Sequence, residues 1–231
     1  MKRIQVLALV AFLLIVLGGC EKATVTNQAS VDVFLKIKKN SQGTTLYAVV
    51  HSVVSYNLMS EVKVTAPNGS STLLTNFENG GNSFFNDPAD EDFSETAPPV
   101  GTYSYLVTFK NGEQITYTNS LLAGTILPAA ITGLNKNATG DSIYFTWNAI
   151  ANTQAYQLKV TNGTKQIYYQ APFADISSPL KATLRIVFPL SAILTNGSGI
   201  YTFELDGMLF ESTSATDFLQ AISVSSKDIS L

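Results

Sequence analysis

The stretch Tyr103-Ser104-Tyr105-Leu106-Val107-Thr108-Phe109-Lys110-Asn111-Gly112-Glu113-Gln114-Ile115-Thr116-Tyr117-Thr118 decides the fold. Two runs rich in aromatic and β-branched residues, 103–109 and 113–118, flank Asn111-Gly112. Asn-Gly is the strongest short hairpin signal, because both residues tolerate a positive φ. Residues 31–38 follow the same grammar. Val31, Val33, Leu35 and Ile37 alternate with other side chains and share one face of a strand. A polar turn at 40–43 leads into 45–54, and 61–65 alternates up to the turn Pro67-Asn68-Gly69. Residues 76–99 read as a long irregular insertion, and 121–128 lose the alternation and read as a domain junction.

The second half continues with short runs at 142–147, 155–160, 166–169, 181–188, 200–205 and 221–229, and Asn162-Gly163 joins two of them. Residues 217–221 read either as a short helical turn or as the start of the last strand. No long helical period appears. Short strands at this spacing predict an all-β chain.

Pro128, Ile131 and Leu134 precede Ile143-Tyr144-Phe145-Thr146-Trp147 and Ala155-Tyr156-Gln157-Leu158-Lys159-Val160. Further on stands Leu194-Thr195-Asn196-Gly197-Ser198-Gly199-Ile200-Tyr201. This half resembles a fibronectin type III domain. The resemblance implies that Trp147 is a core residue, that Tyr156 packs near it, and that Tyr201 forms a tyrosine corner, its hydroxyl bonding back to upstream backbone. Residues 171–180 depart from the family pattern. Pro99-Val100-Gly101-Thr102-Tyr103 echoes the corner and gives Tyr103 the role of Tyr201. The expectation is two tandem immunoglobulin-like β-sandwiches, over 31–125 and 126–231.

The N-terminus has the parts of an export signal. Lys2 and Arg3 are followed by an apolar run at 4–17, shorter than the roughly 20 residues a spanning helix needs. Leu17-Gly18-Gly19-Cys20 resembles the lipobox of bacterial lipoproteins. It implies a leader over 1–19, diacylglycerol on the Cys20 sulfur and a polar tether over 20–30. The chain has no second cysteine, so Cys20 has no disulfide partner. The implied location is the cell envelope, held to a membrane by lipid, and the outer membrane in a Gram-negative source.

Charge narrows the partners. Removing Lys2 and Arg3 with the leader takes the formal net charge from −3 to −5. An acidic chain without a basic stripe excludes nucleic acid. Chemistry is scarce: His51 is the one histidine, and no Gly-x-Ser-x-Gly elbow or phosphate-binding glycine loop is present. The expectation is a protein that is not an enzyme and needs no cofactor beyond its lipid.

Two features are candidates for binding. Asp87, Asp90, Glu91, Asp92 and Glu95 crowd the long insertion and offer hard oxygens for calcium, although the spacing is not that of an EF-hand. Phe84, Phe85, Tyr168 and Tyr169 are candidate ligand-binding aromatics; on a strand, one of Tyr168 and Tyr169 points outward. Asn-x-Ser/Thr triplets at Asn68, Asn137, Asn162 and Asn196 read as turn residues. The leading reading is a membrane-anchored module that binds a glycan or a protein. A structural spacer or assembly subunit is the alternative, and a glycan hydrolase using loop carboxylates is a weaker one. Replacing Cys20 with Ser is expected to abolish incorporation of radiolabelled palmitate and to release the protein from the membrane fraction; unchanged labelling would overturn the lipobox reading.

Overall fold

The structure, a computed structural model, describes residues 26–173, 183–193, 197–211 and 218–231. Leu17, Gly18, Gly19 and Cys20, with the leader and most of the tether, lie outside the described residues. In the first half the strands are β1 (Ala29–Lys39), β2 (Thr45–Ser55), β3 (Met59–Thr65), β4 (Ser71–Leu73), β5 (Thr75–Asn76), β6 (Ser83–Asn86), β7 (Gly101–Phe109) and β8 (Gln114–Leu121). In the second they are β9 (Ile131–Lys136), β10 (Ser142–Asn148), β11 (Ala155–Asn162), β12 (Lys165–Phe173), β13 (Thr183–Pro189), β14 (Ile200–Phe210) and β15 (Leu219–Ser230), with a one-turn helix α1 (Leu190–Ile193). The protein is all-β and sandwich-like.

The β7–β8 hairpin closes on a three-residue loop. Gly112 takes the positive φ, +88°, while Asn111 does not. The Gly112 N–H donates to the Phe109 carbonyl at 2.9 Å, and the Phe109 N–H donates to the Glu113 carbonyl at 2.9 Å. A left-handed glycine after a tight turn keeps the twist of the strands it joins. The loop at Pro67-Asn68-Gly69 repeats this geometry, with φ +85° at Gly69.

Three sheets form. A four-stranded sheet runs β4-β3-β7-β8, and a three-stranded sheet runs β13-β10-β9. Both lie against one eight-stranded sheet ordered β12-β11-β14-β15-β1-β2-β6-β5. Alternation predicted most of the strands, though not β4, β5 or β6. It did not predict that the sandwiches share a sheet: β1 pairs in parallel with β15, setting Leu35 opposite Ala221, Lys36 opposite Ile222 and Ile37 opposite Ser223. The last strand of the chain is thus hydrogen-bonded to the first.

Each half keeps its own core. The first holds Val31, Val33, Leu35, Ile37, Val62, Tyr105, Val107 and Phe109, together with Ala221 from the last strand. The second holds Phe145, Trp147, Tyr156, Leu158, Val160, Phe203 and Leu205. Ile150 packs against both clusters. It does so because Gly207 leaves room: a Cβ there would lie 2.7 Å from Ile150 Cδ1. The stretch expected as a domain junction also joins the fold, since Leu121 and Ile126 are buried in the first core.

Both tyrosine corners are formed. Tyr103 Oη donates to the Pro99 carbonyl at 2.9 Å, and Tyr201 Oη donates to the Gly197 carbonyl at 2.5 Å. Trp147 lies edge-on to Tyr156 at 5.5 Å between ring centroids, and the Tyr156 hydroxyl accepts the Ile150 N–H at 3.0 Å. The long insertion is less irregular than expected. It contributes β5 and β6 to the large sheet, β6 beside β2, and Ser94 bridges back to Tyr47.

The shared sheet predicts coupled unfolding. Ile37→Ala removes a fully buried side chain from the first core and is expected to cost about 2–5 kcal/mol. Trp147, the sole tryptophan, sits in the second core. Urea unfolding followed by its fluorescence is expected to shift with the same midpoint as circular dichroism; an unshifted fluorescence transition would show that the halves unfold independently.

Candidate functional site

Alternation gives the eight-stranded sheet a core side and an outer side. On β1 the core side carries Val33, Leu35 and Ile37, so Asp32, Phe34, Lys36 and Lys38 take the other. The register carries this outer side across the sheet. Lys159 and Gln157 lie on it from β11, Glu204 and Asp206 from β14, and Tyr169 from β12.

Three charges interlock on β11 and β14. Lys159 Nζ lies 2.7 Å from Glu204 Oε1 and 3.1 Å from Asp206 Oδ2. Burial raises the Asp206 carboxyl to about 6 against the opposing pull of Lys159. Burial alone would lower the Lys159 ammonium; Asp206 and Glu204 together raise it instead.

The acidic insertion docks on the same side. Lys36 Nζ meets Asp87 Oδ1 at 2.7 Å and Lys38 Nζ meets Asp90 Oδ1 at 2.5 Å. Lys38 also stands 3.9 Å above the centre of the Phe93 ring. Asp92 accepts the Ala89 N–H and holds its own turn at 2.8 Å. These carboxylates are therefore spread over two lysines and a backbone amide, and among the described residues no three acids, histidines or cysteines are gathered as a metal's ligand set.

A cleft of about 750 Å³ opens where β1 diverges from β15 after the short parallel pairing. Lys36, Lys38 and Asn40 line one wall, Ser225 and Lys227 another, and Phe93 and Pro128 close it. Lys39 also lines this cleft. It is open, mixed in polarity and within the size range of small-molecule sites, about 300–1,000 Å³.

The candidate aromatics separate. Phe84 is 3% exposed and belongs to the first core, which corrects its reading as a ligand-binding residue: β6 is a sheet strand and turns Phe84 inward. Tyr168 packs on the second core, edge-on to Phe188 at 5.2 Å, so it too is corrected to a packing residue. Tyr169 is 49% exposed on the outer side, and Phe85 is partly buried in β6. The acids Glu91 and Glu95 are exposed and do not line the cleft. Phe93 was passed over, although its place inside the acidic run was a usable signal.

His51 lies in the first core beside Tyr103 and Tyr105. Its Nδ1 is 3.0 Å from Tyr105 Oη, while that hydroxyl donates to the Asp32 carbonyl at 3.1 Å. With its one proton so committed, the hydroxyl accepts from His51. Asp32 Oδ2 accepts the Leu219 N–H at 3.2 Å and so fastens the start of β15. Burial raises the Asp32 carboxyl to about 6. This arrangement joins strands, and His51 and Tyr103 also line a smaller cleft of about 260 Å³ with Tyr47, Ser94 and Thr96.

No family model matches the chain, and no curated protein matches it. Among solved structures, the chain is similar to a candidate carbohydrate-binding protein from Bacteroides uniformis, with 13% identity, TM-score 0.33, and coverage of 87% of this chain and 99% of that one. It is also similar to the BSP domain of a biofilm-associated protein, with 13% identity and TM-score 0.26, over 89% of this chain and 29% of that one.

Burial lowers His51 from its ordinary 6.5 to about 4. Between those values the unfolded chain binds a proton that the folded chain refuses, so this contribution to stability is present above 6.5 and is lost as pH falls toward 4. Asp32 and Asp206, raised to about 6, act in the opposite sense between about 4 and 6. A His51→Gln variant isolates the histidine. Its stability relative to wild type is expected to improve by up to about 3 kcal/mol on going from pH 7 to pH 4, read from urea midpoints; a constant difference would mean that His51 titrates normally.

Proposed function

We propose that the protein is a lipid-anchored, non-catalytic binding module of the cell envelope that captures a glycan in the cleft beside β15. The observation that carries this reading is the cleft itself. It combines the Phe93 side chain, with Lys38 over its ring, with further lysines, an asparagine and serines, the mixture of apolar and converging polar groups that small-ligand sites use. It is also built by both halves of the chain, as binding sites at domain junctions are. The outer-side carboxylates Asp87, Asp90, Glu204 and Asp206 are all partnered by lysines, which favours recognition over acid–base chemistry. Because Asp87 and Asp90 are engaged in this way, binding is read as independent of calcium.

The spacer or assembly reading has one specific support. The edge strand β4 is fully exposed, with Leu73 at its end, and an exposed edge accepts a strand from another chain.

The test is a glycan array probed with the full chain carrying Cys20→Ser. A specific hit is expected, unchanged by EDTA and weakened about tenfold or more, ~1.4 kcal/mol, by Phe93→Ala or Lys38→Ala. Loss in EDTA would restore calcium to the acidic loop. Binding unaffected by either substitution would remove the cleft from the reading, and Tyr169→Ala would then test the outer side.

A further inference from the structure

One end of the first sandwich is unusually apolar for a solvated tip. The β2–β3 turn presents Tyr56, 104% exposed, and Leu58, 43% exposed. Val54, 51% exposed, precedes them on β2, and Phe77, 53% exposed, opens the turn between β5 and β6. Hydrogen bonds knit these turns into one surface. Asn82 Nδ2 donates to the Ser55 and Tyr56 carbonyls at 3.0 and 3.1 Å. The Met59 N–H donates to the Gly81 carbonyl, and the Lys110 N–H donates to the Leu58 carbonyl at 2.9 Å. Isolated apolar side chains on a surface are ordinary, but a group of large ones on one tip marks a contact site.

What covers this tip follows from where the chain enters it. Thr26, the first described residue, lies there: its carbonyl accepts from Asn57 Nδ2 at 3.2 Å. The Gln28 carbonyl accepts from Ser55 Oγ at 2.6 Å. Six peptide steps separate Thr26 from Cys20, a reach of at most about 20 Å even fully extended. Acyl chains on Cys20 would fix that residue at the bilayer surface, so the tip could never stand far from lipid.

We infer that this tip, with Tyr56, Leu58, Phe77 and Val54 foremost, rests in the interfacial layer of the membrane and acts as a second, non-covalent anchor. The inference rests on lipidation of Cys20, as proposed above. Tyrosine suits the site because its ring is apolar and its hydroxyl stays among headgroups, and apolar side chains at such a surface bury in the boundary between headgroups and acyl chains. Charge adds little, since Lys110 is the one basic residue of the turns at 56–58, 77–82 and 110–112. The geometry also orients the ligand cleft. Its lining begins at Lys36, about 23 Å along β1 from Ala29 at about 3.3 Å per residue. A docked tip therefore holds the cleft away from the bilayer.

The experiment uses the full chain, acylated in a bacterial host and reconstituted in vesicles of phosphatidylethanolamine and phosphatidylglycerol. Tyr56→Cys and Gln42→Cys, both at exposed turn positions, each receive an environment-sensitive fluorophore; mass spectrometry reports acylation of Cys20. The expected result is a blue shift at position 56 and loss of its emission when spin-labelled lipid is included, with neither change at position 42. Acylated protein whose label at 56 stays unshifted and unquenched overturns the docking while leaving the tether intact. Unacylated protein overturns the tether, and the docking with it. Equal quenching at both positions overturns the orientation, because the whole molecule would then lie flat on the bilayer.

Discussion

The parallel contact between β1 and β15 is the constraint on which the rest of the molecule depends. Three register pairs suffice to make one eight-stranded sheet out of strands from both halves. Because Ala221 sits in the first core while the rest of β15 runs on along β14, the last strand must be placed before either sandwich is complete. The side chain of Asp32 holds the Leu219 amide at the entrance to that pairing. Ile150, seated over Gly207, closes the contact from the core side. A tandem pair of domains would ordinarily meet through a small polar interface and move relative to one another. Here hydrogen-bonded backbone crosses the boundary.

The cleft follows from the same contact. Parallel strands that pair over a few residues and then diverge leave a wedge, and its walls belong to β1 on one side and β15 on the other. The acidic insertion is held over this wedge by two ion pairs. Exposed ion pairs of this kind contribute little to stability, about 0–1 kcal/mol each, but they set the position of Phe93. The electrostatic pattern is thus one of placement. Asp87, Asp90, Glu204 and Asp206 pair with lysines across the outer side of the sheet, while Phe93, Lys39 and Lys227 line the opening.

Much of the fold was legible in local chemistry. Alternation at 31–37 marks β1 because a pleated strand with one buried face needs every second residue apolar. The glycine of Asn111-Gly112 marks its hairpin because a left-handed position is required there, though the loop has three residues rather than two. Pro99 to Tyr103 and Gly197 to Tyr201 mark corners because the hydroxyl reaches a carbonyl four residues back. The candidate site was legible only in part. Phe84 and Phe85 look alike in sequence, and so do Tyr168 and Tyr169; which of each pair is buried depends on the register of β6 against β2 and of β12 against β11. The acids at 87–95 signalled a special loop, but not that lysines from β1 would meet them.

By itself the sequence determined the local features: most of the strands, the turns, the two corners and the core tryptophan. Each depends on neighbours a few positions apart, where side-chain period and backbone φ preferences act directly. Tertiary structure alone decided the pairing of Leu35 with Ala221, the burial of His51 against Tyr105, the cleft, and the gathering of Tyr56, Leu58 and Phe77 beside the chain's entry. These join residues far apart in the chain, and the reason is physical. A strand's pattern fixes which face is buried but leaves its edge hydrogen bonds free to accept any partner, so the choice of neighbour is made only when the whole sheet is assembled.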